Sequence, residues 1–79
     1  RLKVEIYSTD KLVYSGEAFS LSAESEQGVF DVLPMHTNFV AILKNGITVN
    51  ASDGKKYEFS SESSIIRVAA NEVFIFLGV

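Results

Sequence analysis

The chain has 79 residues, a net charge of −3, no cysteine, and 47% apolar residues, among them six Phe and three Tyr. That length holds one small domain, burying only roughly 60–65% of its unfolded surface, and the apolar content sets it apart from disordered chains. Disulfides and thiolate metal sites are excluded, the scattered charge offers no basic track for nucleic acid, and the longest apolar runs, FVAIL (39–43) and VFIFLGV (73–79), fall far short of the ~20 residues that span a bilayer.

The sequence opens on Arg1, so targeting is not read from this end. Leu2, Val4 and Ile6 then alternate with Lys3 and Glu5, and STDK (8–11) closes this first strand. A turn is expected at Ser15–Gly16, followed by alternation of Phe19, Leu21 and Ala23 with Ser20 and Ser22. VFDVLP (29–34) reads as a strand that stops at Pro34, and HTNFVAIL (36–43) as the strand leaving that corner. Asn45–Gly46 offers a second turn, and SDGK (52–55) contains Asp-Gly, a two-residue hairpin signal. Between and after them Ile47 and Val49, then Tyr57 and Phe59, share faces; Ile66 and Val68 flank Arg67, and AANE (69–72) turns into a last run in which Val73, Ile75 and Leu77 share a face. No window has the i, i+3, i+4 spacing of a helix. Period two throughout implies eight to ten short strands in a single all-β domain over residues 1–79, an antiparallel sandwich or a flattened barrel.

That last run is apolar on both faces, since Phe74 and Phe76 alternate with the inward set. Such a strand is either central in the sandwich or covered by something outside the domain, as in a subunit contact.

Catalytic readings find little support. His36 is the only histidine and the only side chain type that titrates near neutrality. Serines are plentiful and Asp31 is near in sequence, but there is no nucleophile elbow or Gly-rich oxyanion loop. One His and no Cys make a zinc site unlike the usual ones. The spacing of Glu24, Glu26 and Asp31 fits no calcium loop, and no Gly-rich loop would hold a phosphate. No catalytic residue, cofactor or metal site is expected, and Glu24, Glu26 and Asp31 read as a solvated acidic rim.

The segment GVFDVLPMHTNF (28–39) holds the only proline, methionine and histidine of the chain. Pro34 cannot donate to a sheet ladder and keeps Leu33 extended, so the corner is rigid and presents Met35 and His36 outward. Met is adaptable on a surface that must fit a partner. Glu26 and Asp31 around Val29 and Met35 have the polar-rim, apolar-centre form of a protein contact. His36 has two open readings: an interface residue, or a ring that donates to a carbonyl and fixes the turn.

This segment resembles the G-x-(F/L)-G-(I/V)-(L/Y)-P-G-H-A-P-(L/F) stretch of the ATP synthase epsilon family's N-terminal domain, the counterpart of the mitochondrial delta subunit. VYSGEA (13–18) is similar to the family's second strand, AILKNGIT (41–48) to (T/A)-x-(L/I)-K-P-G-x-(I/L), and SSIIRVAANEVFIF (63–76) to the closing hairpin G-G-(I/F)-L-E-V-x-x-N-x-V-T-V-L. The pieces come in the family's order and cover nearly the whole chain. Departures fall at turns: Asp31 and Met35 stand where the pattern has Gly, Thr37–Asn38 for Ala-Pro, Asn45 for Pro, and Ser63–Ser64 for Gly-Gly.

The resemblance implies a ten-stranded sandwich of two five-stranded sheets. It implies a non-catalytic central-stalk subunit that links the gamma subunit to the membrane-embedded c-ring and helps couple proton or sodium flow to ATP synthesis. The chain is then peripheral to a membrane, on the cytoplasmic or matrix/stromal side, without inserting into it. The ring-facing end carries over to Glu26, Gln27, Gly28, Val29, Phe30, Met35, His36, Thr37 and Asn38; no residue is assigned to the gamma side. The family's C-terminal helical hairpin, which inhibits ATP hydrolysis and in some members binds ATP, is expected to be absent here. The alternative is an unrelated β-sandwich adaptor with an aromatic pocket or groove for a protein or ligand; a small hydrolase built on His36 is a weaker one.

Overall fold

Period-two patterning decides the architecture. A computed structural model, describing residues 1–79, contains six strands and no helix: β1 (Leu2–Ser8), β2 (Lys11–Ser25), β3 (Gly28–Val32), β4 (Phe39–Ala51), β5 (Lys56–Ala69) and β6 (Glu72–Leu77). In β1 the alternation translates directly into burial, with Leu2, Val4 and Ile6 inside and Lys3 in solvent.

The all-β sandwich expected from the sequence is the fold observed, but its strands are fewer and longer. β2, β4 and β5 run for 15, 13 and 14 residues, and each passes from one layer to the other unbroken. Register shifts between Ala18 and Ser20 and between Leu43 and Asn45 mark the crossings of β2 and β4; an extra residue on one strand bends it and steepens its twist. The strand order β1-β6-β5-β4-β2-β3, with β1 also paired to β2, closes five strands into a flattened ring and leaves β3 on the outer side of β2. All pairings are antiparallel except β1 with β6, which is parallel.

The ring has two layers. In the first layer, residues 11–18 of β2, then β1, β6, residues 64–69 of β5 and residues 39–43 of β4 lie side by side. In the second, β3 is followed by residues 18–25 of β2, residues 45–51 of β4 and residues 56–61 of β5. The layers thus hold five and four strand segments, where two sheets of about five were expected. Val4, Ile6, Val73, Ile75, Ile66 and Leu43 point inward from the first layer and meet Leu21, Ile47, Val49 and Val32 of the second in one buried cluster. Each such side chain contributes about 1.5–3 kcal/mol by leaving water.

Two turn expectations fail. Gly16 is paired with Val4 inside β2, and Gly46 with Ser60 inside β4. At Gly16 the glycine serves a close approach instead: a Cβ there would meet the Tyr14 hydroxyl at 2.9 Å. Asn45 has φ 60° and stands at the β4 register shift, so the backbone freedom read as a turn is spent on a bulge. SDGK does form a hairpin, as a four-residue loop between Ala51 and Lys56 rather than a two-residue one, with Gly54 at φ 86°.

Candidate interaction surfaces

The β3–β4 corner over residues 33–38 and the β5–β6 turn at Ala70–Asn71 lie together, while the β2–β3 turn at Glu26–Gln27 leaves the other end of the five-residue β3. The corner begins where Pro34 ends β3's pairing, and His36 N–H donates to Leu33 O (3.2 Å) across it. Met35 has φ 71°, a left-handed conformation at the position where the resembled pattern carries glycine. Two asparagines pin the corner to the neighbouring turn. Asn71 Oδ1 accepts from Met35 N–H (2.7 Å), and Asn38 Oδ1 accepts from Ala70 N–H (3.2 Å). Asn71 O also accepts from Lys3 N–H (2.9 Å), which ties the same turn to β1.

Met35 is consequently held outward with 86% of its surface exposed. His36 is half-buried, its Nδ1 donates to Thr37 O (2.8 Å), and its ring lies 5.0 Å from that of Phe39. The fixed-turn reading of His36 is therefore met by a local carbonyl, while the ring edge stays available. Ser25 Oγ is turned to Gln27 and Gly28, so neither the nucleophile–base nor the base–carboxylate bond of a triad is formed around His36. No group of three His, Asp or Glu side chains comes together.

Of the residues named from sequence, Glu26, Gln27, Phe30 and His36 line one groove, together with Phe39 and residues 40–42 of β4. Gly28 and Val29 stand beside it on β3, paired with Ser25 and Glu24. Thr37 and Asn38 complete the corner. Asp31, read as part of the acidic rim, belongs elsewhere: its Oδ1 accepts from Ser22 Oγ (2.7 Å), the residue opposite it on β2.

The two layers differ on their outer faces. The second presents Ser22, Thr48 and Glu58 in one cross-strand row and Ser20 and Asn50 in the next, and Asn50 Nδ2 donates to Ser20 Oγ (2.8 Å). The first presents an apolar row, Tyr7–Phe76–Ile65–Ile42, with Phe74 and Val40 on either side of Arg67 in the row beside it. Phe76, Val40 and Ile42 are 40%, 67% and 69% exposed. Tyr7 stacks on Phe76 at 5.5 Å; its hydroxyl donates to Glu5 Oε1 (2.8 Å), and that bond, then desolvation and the Glu5 charge, raise the phenol above its ordinary value. So β6 is central between β1 and β5, and its second face is also uncovered. The sequence signal was the double-faced apolar run of β6. Asn71 carried no comparable signal, because its role depends on a turn 36 residues away from Met35.

Known proteins resemble this chain in sequence and fold. The family model for the β-sandwich domain of the ATP synthase delta/epsilon chain matches residues 1–77. The ATP synthase epsilon chain of Nitratiruptor sp. is 33% identical over 72 residues, covering 90% of this chain and 56% of that protein. The epsilon chain of Leptospira interrogans is 33% identical over 75 residues, covering 95% and 59%, and that of Chlorobium limicola is 30% identical over 74 residues, covering 92% and 84%. The chain thus spans 56–59% of the length of the first two. Among solved structures, a chain of the Euglena gracilis mitochondrial ATP synthase (OSCP/F1/c-ring, rotational state 1) superposes with a TM-score of 0.85 at 17% identity, over 98% of this chain and 50% of that one, which establishes the fold.

Proposed function

The chain belongs to the ATP synthase delta/epsilon β-sandwich family, and from that membership we propose that it acts as a non-catalytic part of the central stalk of a rotary ATP synthase, joining the gamma subunit to the c-ring. The observation that carries this reading is the contrast between the two outer faces. A monomer rarely leaves a contiguous apolar face uncovered, and here the inner strands of one layer present polar rows, with apolar Val29 only on its β3 edge, while the other layer lines up Tyr7, Phe76, Ile65 and Ile42. We assign that apolar face to gamma. The pinned corner with Met35 and His36, together with Glu26, Gln27, Gly28, Val29 and Phe30 along the groove beside it, is assigned to the polar loops of the ring. Association with the membrane is through the complex, and no helix is long and apolar enough to cross a bilayer.

The division of labour follows from area. A stable contact needs on the order of 800 Å² per partner, which a sheet face supplies and a corner does not. Gamma therefore supplies affinity, and the corner supplies placement, since little backbone freedom remains there to be lost on docking. Binding of the cognate gamma subunit, measured by calorimetry, tests the assignment. Phe76→Lys and Ile42→Lys should each weaken binding by about tenfold or more, because each places a charge where about 1.5–3 kcal/mol of apolar burial was gained. Glu58→Lys on the polar face should leave it unchanged. Equal effects on both faces would remove the basis of the assignment.

A further inference from the structure

We propose that the groove beside β4 is a strand-addition site, filled by an extended, uncharged apolar segment of the same protein that covers the first layer's outer face. The proposal rests on the stalk reading for the identity of that protein. Its physical basis is separate, and begins with the sheet's free edges.

Four strand segments lie at layer edges, and three carry features that discourage pairing. Residues 56–61 of β5 include Lys56 and Glu58; β3 is five residues long, contains Asp31 and runs into Pro34; residues 11–18 of β2 include Lys11, Gly16 and Glu17. Residues 39–43 of β4 read Phe-Val-Ala-Ile-Leu, without charge, proline or glycine, and pair only with β5. The backbone groups on their other side find no backbone partner in any strand or loop. An unpaired, uncharged edge is a template for one more strand.

The interior makes the same point. Where residues 11–18 of β2 face residues 56–61 of β5, no ladder forms, and aromatic rings fill the gap: Tyr14 lies 5.1 Å from Tyr57 and 5.6 Å from Phe59. Across the ring, where β4 departs from β2, Phe30 and Phe39 meet at 5.8 Å, but inward-facing Ala41 is too small to complete the filling. A groove of about 680 Å³ remains, half-exposing Phe30, Phe39 and Ala41. An added strand would place alternate side chains over these three and its other side chains beside Val40 and Ile42.

The geometry favours a slender segment of the covering protein over a second copy of this chain. The far lip of the groove is the β2–β3 tip, Ser25 to Gln27, and a second copy pairing edge to edge would bring its own tip against it. Val40, Ile42 and Ile65 line the groove and also belong to the apolar outer face, so one partner can cover both without a break.

Hydrogen exchange of the wild-type chain, alone and bound to the cognate gamma subunit, together with one groove variant, tests the proposal. In the complex, peptides over residues 39–43 should exchange about tenfold or more slowly at their edge amides. Ala41→Lys, which puts a charge into the groove, should weaken gamma binding about tenfold or more, as Phe76→Lys does from the outer face. Protection of β6 without residues 39–43, with Ala41→Lys binding normally, overturns strand addition and leaves the face assignment intact. Failure of the wild-type chain to bind gamma overturns both. Protection of residues 39–43 in the isolated chain, with sedimentation as a dimer, identifies a second copy as the occupant and overturns the proposal.

Discussion

Two side chains break local rules. Ser64 is 1% exposed, faces the core between Leu43 and Leu77, and its hydroxyl has no hydrogen-bond partner. A buried hydroxyl without a partner costs about 1–3 kcal/mol. Ser64→Ala removes the group and leaves only a small space, so the urea midpoint should rise by the equivalent of about 1 kcal/mol with an unchanged slope, read by circular dichroism. A fall in the midpoint would mean that the hydroxyl is satisfied in solution. Met35 breaks a backbone rule, holding φ 71° on a side chain with no local hydrogen-bonding group to favour it. Both sit at positions where the family pattern has glycine. The sequence alone exposed these departures, but not that the left-handed backbone survives the loss of glycine at Met35, because the Asn71 acceptor that holds it comes from another strand's turn.

Among the elements, the β4–β5 hairpin joins a local signal to a titratable group. Asp53 Oδ1 accepts from Lys55 N–H (2.8 Å) and its Oδ2 from the Tyr57 hydroxyl (2.9 Å). The Lys55 amide bond foremost, then the Tyr57 bond, holds the carboxyl below its ordinary value. A folded-state pKa below the unfolded one means stability that is present above about pH 3.9 and is lost as pH falls through the folded value. Asp53→Asn should therefore flatten the acid limb of a stability–pH curve measured by urea titration between pH 2 and 5, as the carboxylate's share disappears; an unchanged limb would remove Asp53 from the acid response. Asp-Gly announced this hairpin, as the alternation announced the strands and their inward faces. Strand continuity was not legible in the same way. Ser15–Gly16 and Asn45–Gly46 carry turn chemistry, yet whether such a residue makes a turn or a bulge depends on which strands pair beside it. Gly16 pairs with Val4 and Gly46 with Ser60, which are distant choices made by the whole ring.

At the scale of the molecule, the proposed gamma-facing sheet and the proposed ring-facing corner would place two demands on one small domain, and the pinned connections would keep the two independent. The corner is tied by Asn38 to Ala70 and by Asn71 to Met35 and Lys3, so its position is fixed by the ends of β1, β5 and β6. Its outward side chains take no part in those ties: Met35 bonds through its backbone N–H, and its thioether makes only a distant 4.0 Å contact with Asn71 Nδ2. Recognition can therefore be altered without loosening the scaffold. Met35→Glu with His36→Glu should leave the circular dichroism spectrum as in the wild type, and Met35→Glu alone, which lies outside the groove that His36 lines, should also leave gamma binding unchanged. The double variant puts two negative charges where an apolar side chain and a ring edge now stand, and should weaken the ring contact about tenfold or more, the factor that corresponds to about 1.4 kcal/mol. In membrane vesicles carrying the assembled complex, ATP-driven ion pumping should fall relative to ATP hydrolysis. Normal coupling by a correctly assembled double variant would show that the corner does not meet the ring, and His36 would then be only the residue that bonds Thr37 and packs on Phe39.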